Sequence, residues 1–181
     1  VLESHQGKGT FVCNKTVNHR LSRNGVGFTN SCQLNGTRPS SHILQISFQQ
    51  ATEKDIALLE IPETSKVLYI HRVLYSNDQP VIVERNYFTE DFRKLMSYDL
   101  ENASIYNILR SDFNIGQIHT STSIRLSRAN EEDARYLDLK PNDPIMYLSE
   151  VNYSNRKPLH RTEQSIRGDR YIYEVQSIET L

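Results

Sequence analysis

Apolar and polar positions along the chain switch between a period of two and a period near 3.6, and the switches mark out its elements. His42 to Gln49 alternates, with Leu44, Ile46 and Phe48 on one face, which predicts a half-buried strand. Lys66 to Tyr75 and Val81 to Phe88 are β-rich runs on either side of Ser76-Asn77-Asp78-Gln79, and they predict a hairpin. Gln117 to Arg128, Ile145 to Tyr153, Leu159 to Arg167 and Tyr171 to Gln176 read as further strands, the last three joined by tight turns at Ser154-Asn155 and Gly168-Asp169. Helical spacing of Ile105, Ile108, Leu109 and Phe113 predicts a helix from about Asn102 to Phe113, stopping near Gly116. Thr52-Glu53-Lys54-Asp55 resembles a capping box ahead of Ile56, Leu58 and Leu59, with Pro62 as the stop. Thr89 and Asn130 are N-caps for helices that reach Met96 and Leu137. Thr29 is the expected N-cap of a shorter helix ended by Gly36. Short hairpin links favour antiparallel pairing, so the fold class is α+β, a mostly antiparallel sheet flanked by helices.

The first residues read differently. Leu2-Glu3-Ser4 and Gly7-Lys8-Gly9-Thr10-Phe11-Val12 form the two arms and the turn of a hairpin. A chain that opens on Val1 in mid-hairpin is expected to be a piece of a longer protein. Residues 14–27 have no hydrophobic period and are rich in Asn, Arg and Gly, which predicts a linker. The expected organisation is a hairpin remnant at 1–13, a linker at 14–27, a folded domain at 28–177 and a tail at 178–181. Residues 1–27 carry a balance of +3 while the whole chain carries −1. Two readings of that basic head stand: proximity to phosphates, or a solvated linker with chance cations.

A length of 181 residues leaves room for a sizeable core. No window approaches the roughly 18 consecutive apolar residues of a spanning helix, and no secretion signal opens the chain. Cys13 and Cys32 are too few for a disulfide framework and lack metal-ligand spacing, so a reducing, cytoplasmic setting is expected. His42, His71 and His160 form no recognisable ligand motif, and no nucleophile signature is present. Neither a metal, nor a cofactor, nor a catalytic residue is expected.

A few residues carry binding chemistry. Arg72 shares a strand face with Leu68, Ile70 and Leu74, so its guanidinium is expected to be buried and to need an anion. Glu84 on the next strand is the internal candidate. A two- or four-residue loop at Asn77-Asp78 sets Arg72 against Val83, and a three- or five-residue loop sets it against Glu84. Ser104 and Tyr106 lie at a helix start, where unpaired amides and a hydroxyl suit either an anion or an ordinary cap. Phe28-Thr29 offers a second start of the same kind.

Taken in order, these fragments resemble a known family. Gly7-Lys8-Gly9-Thr10-Phe11-Val12 is similar to the wing that closes the winged helix-turn-helix of GntR-type bacterial regulators. Phe28-Thr29, the hairpin Arg72 to Val81, Glu84, Ser104-Ile105-Tyr106 and Arg167 to Tyr171 are similar to the UTRA domain of the HutC branch. The resemblance implies a chorismate lyase-like fold, a homodimer, and a small anionic effector, a phosphorylated sugar or a carboxylate, that modulates operator binding, most often as a repressor. It implies effector contacts at Phe28, Thr29, Arg72, Glu84, Ser104, Tyr106 and His160, and DNA contacts at Gly7, Lys8 and Gly9. The chain departs from phosphosugar-binding members at Leu74, where they carry a second arginine. It departs also near His160, where they carry an acidic residue, and near Ile166, where they carry an aromatic. A lyase-type enzyme and a domain kept only for dimerisation are the alternatives.

Overall fold

The computed structural model describes residues 2–5, 9–12, 16–21 and 27–175. Strands β1 (Leu2–His5) and β2 (Gly9–Val12) pair as the antiparallel hairpin anticipated at the start of the chain. Gly7 and Lys8 lie outside the described residues, and Gly9 opens β2. The main sheet has six strands in the order β4-β5-β6-β9-β8-β7, antiparallel throughout. They are β4 (Pro39–Gln50), β5 (Lys66–Ser76), β6 (Gln79–Phe88), β7 (His119–Arg128), β8 (Pro144–Ser154) and β9 (Lys157–Ile166).

Both faces of β5, β6 and β9 are covered, whereas the edge strand β7 is almost wholly exposed. On the front, Leu68, Ile70 and Phe88 pack against Phe92 and Leu95 of a 3₁₀ helix (Glu90–Ser97) and against Ile105 and Leu109 of helix α3 (Ile105–Asp112). Helix α1 (Phe28–Leu34) joins the same side, where Cys32 meets Leu74, Ile82 and Ile166. On the back lie α2 (Glu53–Leu59) and α4 (Glu131–Tyr136). There Val73 and Val83 meet Leu137, and Arg161 donates to Asp55 at 2.6 Å. The caps at Thr52, Ser104 and Asn130 form as anticipated, each side chain accepting from an amide three residues on.

Four expectations fail locally. The N-cap of α1 is Gly27 rather than Thr29. Leu44 does not share a face with Ile46 and Phe48, because a bulge between Ile43 and Gln45 turns it into the back core with Val73. The expected linker contains β3 (Val17–Leu21), a strand that pairs in parallel with β10 (Tyr171–Val175). Consequently β10 leaves the main sheet instead of continuing it as a hairpin partner of β9. Val17 is fully buried beside Tyr171, and with the backbone ladder and the Asn35 side chain bonded to the backbone of Asn18 it holds a segment whose sequence shows no period.

The β5–β6 turn resolves the register. Asn77 and Asp78 form a two-residue loop with positive φ at both positions (49° and 62°), the geometry of a type I′ turn. Alone it would set Arg72 against Val83. A bulge shifts the pairing from Tyr75↔Pro80 to Leu74↔Ile82, so Arg72 faces Glu84.

Candidate ligand-binding site

Between the front of the sheet and the starts of α1 and α3 lies a cavity of about 620 Å³. Its floor comes from alternate residues of β5, β6, β9, β8 and β7, since only every second side chain faces forward. Arg72 is buried and donates from Nε to Glu84 Oε2 at 2.5 Å and from Nη1 to the carbonyl of Ala103 at 3.2 Å. Its Nη2 has no partner among the described residues. Glu84 also accepts from Asn86 Nδ2 and from Gln164 Nε2, each at 2.8 Å, so both carboxylate oxygens are occupied. Burial pushes its carboxyl up, but the Arg72 charge and these three donors outweigh burial and hold it below the ordinary carboxylate value.

The roof is made of two helix starts. Ser104 caps α3 by accepting from the Asn107 amide, which leaves the first-turn amides of Ile105 and Tyr106 without intrahelical acceptors. Gly27 precedes α1 in an extended conformation with no side-chain cap, leaving the amides of Phe28 and Thr29 available. A Cβ at Gly27 would sit 3.2 Å from the Tyr106 ring, so glycine is what lets the two starts approach each other. Phe28 in turn stacks on Tyr171 of β10 at 6.1 Å. At the same end, Ser41 contributes a buried hydroxyl with no partner among the described residues.

Six of the seven residues expected at an effector site line this one cavity: Phe28, Thr29, Arg72, Glu84, Ser104 and Tyr106. His160 does not. It is 1% exposed, stacked on Phe88 at 4.3 Å, and lies behind the cavity wall, edge-on to the Tyr106 ring at 6.0 Å and bonded to Asn152 Nδ2 at 3.2 Å. Asn152 accepts in turn from the Tyr106 hydroxyl at 3.3 Å and from Thr120 Oγ1 at 2.8 Å. Burial drives the His160 imidazole down to about 3, which makes it a neutral core ring behind Tyr106.

Sequence reasoning missed Ser41, Thr122, Glu150, Gln164 and Tyr173, all of which line the cavity. A signal for some of them existed. Thr162 and Gln164 occupy alternate positions in the run leading to Ile166, and they face Asn86 and Glu84 across the β6–β9 ladder. Polar residues at the inward period of a central strand mark a polar floor. Tyr173 carried no such signal, because β10 reaches the cavity only by leaving the sheet. Glu150 accepts from Thr122 Oγ1 at 3.0 Å, and burial first, then the Glu84 charge, push its carboxyl up to about 7.

Comparison with known proteins adds to this geometry. The family model described as the UTRA domain matches residues 34–172. The HTH-type transcriptional regulator YurK of Bacillus subtilis (strain 168) is 24% identical over 178 residues, which span 97% of this chain and 73% of YurK. The HTH-type transcriptional repressor NagR of the same strain is 24% identical over 169 residues, 93% of this chain and 69% of NagR. The crystal structure of PhnF from Mycobacterium smegmatis superposes with a TM-score of 0.87 at 20% identity, covering 99% of this chain and 79% of PhnF.

Proposed function

The chain belongs to the UTRA domain family, the effector-binding part of GntR-family transcriptional regulators, and from that premise we propose that its effector is a small anionic metabolite held in the front cavity. One observation carries this reading: the open Nη2 of Arg72, the amides of two helix starts and the unpartnered hydroxyl of Ser41 border the same space. Desolvated donors and a guanidinium are best satisfied together by a phosphate ester or a carboxylate. The open cavity also weighs against a domain kept only for dimerisation, whose pocket side chains would fill. A lyase-type activity finds no support in the polar floor, where Glu84 is saturated and His160 is sealed behind Tyr106. The domain acts by sensing, as part of a homodimer that couples effector occupancy to paired DNA-binding heads.

Calorimetry and thermal shift with hexose phosphates and with small carboxylates test the proposal. A ligand at a hundred times its dissociation constant stabilises by about 2.7 kcal/mol. The paired variant Arg72→Ala/Glu84→Gln, which leaves no orphaned carboxylate, is expected to lose that response. Absence of any shift with either class, or an undiminished shift in the paired variant, overturns the assignment. Light scattering is expected to give twice the 21.0 kDa chain mass.

A further inference from the structure

The two carboxylates on the cavity floor differ in what they have left to offer. Both Glu84 oxygens are taken by Arg72, Asn86 and Gln164. Glu150 accepts one bond, from Thr122, and its second oxygen has no partner among the described residues. The two ends of the floor are also well separated. Arg72 on β5 and Glu150 on β8 have β6 and β9 between them, three strand steps, or roughly 14 Å between their backbones. An anion at the Arg72 end therefore cannot be the group that faces Glu150. Resting on the effector-site reading above, we propose that the Glu150 end of the cavity selects a positively charged nitrogen on the effector, so that the ligand is a zwitterion with separated poles.

The chemistry follows from desolvation. A half-buried carboxylate without a cation has lost much of its hydration, and an ammonium group restores the balance with a charge-assisted bond that a hydroxyl matches only weakly. The charge state of Glu150 then gates recognition. Its carboxyl titrates near 7, pushed up by burial and by Glu84, so an ammonium is favoured above that pH and disfavoured below it.

The other groups around this end hold their charge across the window. Tyr106 on α3 and Tyr171 and Tyr173 on β10 are raised by burial and stay neutral. His160 on β9, lowered to about 3, stays neutral, and Glu84 on β6 stays ionised beside Arg72 of β5. His119 on β7 also lines the cavity. A His119→Gln variant therefore accompanies the test.

The experiment is calorimetry on the whole chain with hexyl phosphate, 6-aminohexyl phosphate and hexylamine at pH 6 and pH 8. At pH 8 the aminoalkyl phosphate is expected to bind at least tenfold tighter than the alkyl phosphate. That advantage should shrink at pH 6, vanish in Glu150→Gln and in Glu150→Ala, and persist in His119→Gln. Equal affinities for the two phosphates, or an advantage that survives in both Glu150 variants, overturns the proposal and leaves the anion reading standing. Binding of hexylamine with no gain from a phosphate leaves a cation subsite at Glu150 alone: the anion reading falls, and the zwitterion falls with it. If no probe binds, both fall.

Discussion

Removing the Arg72 side chain leaves Glu84 as a buried carboxylate with no cation. Arg72→Ala is expected to cost about 3–5 kcal/mol in chemical denaturation, and adding Glu84→Gln should recover most of it. The two floor carboxylates respond to pH in opposite senses. The folded value of Glu84 lies below its unfolded one, so its contribution is present above the unfolded value and is lost as pH falls through the folded one. For Glu150 the folded value, about 7, lies above the ordinary 4.5, so folding binds a proton there and stability falls as pH rises from 4.5 to 7. Glu150→Gln is accordingly expected to stabilise the protein by on the order of 2 kcal/mol at pH 8 and by almost nothing at pH 4. Melting curves at the two pH values check the sign. Leu74→Arg places a second guanidinium beside Arg72 and should strengthen phosphate esters relative to carboxylates in side-by-side calorimetry.

At the scale of elements, two tight turns and three bulges, in the β4–β5, β5–β6 and β8–β9 ladders, set which side chains face the cavity. The β8–β9 turn matches the β5–β6 turn in form, with positive φ at Asn155 (50°) and Arg156 (65°). Arginine carries a Cβ into a conformation that favours glycine. Arg156→Gly is therefore expected to stabilise by about 0.5–1 kcal/mol, read as a rise in the denaturation midpoint, with effector affinity unchanged. The bulge at Val81 matters more for the site, since it alone moves Arg72 from Val83 to Glu84. Gly27 has a comparable role for the roof: a side chain there must push Tyr106 away and open the gap between the helix starts.

Across the whole molecule, the β3–β10 pair ties the segment that follows the amino-terminal hairpin to the cavity wall. Tyr171 and Tyr173 line the cavity, and their strand is bonded to Val17–Leu21. Ligand binding is expected to slow hydrogen exchange in residues 171–175 and in 17–21 together, because the two strands share one ladder. Tyr171→Ala removes a ring that is 1% exposed and stacked on Phe28, at a cost of about 3–5 kcal/mol. It should also uncouple protection of 17–21 from ligand. Exchange that slows at 171–175 alone in the unaltered chain counts against this route.

Period and cap chemistry were enough to determine the strands of the main sheet, the helix starts at Thr52, Ser104 and Asn130, and an antiparallel α+β architecture. These signals are local, each read within a few residues. The same local logic singled out Arg72 as a cation among apolar neighbours and Ser104 as a helix start. Tertiary structure alone decided the register that gives Arg72 to Glu84, because one bulged residue reverses the parity that turn length dictates. It alone buried His160 behind Tyr106, drew β10 out of the sheet to meet β3, and brought Glu150 onto the same floor as Glu84. Those outcomes depend on contacts between strands far apart in the chain, and the hydrophobic period of a single segment carries no information about them.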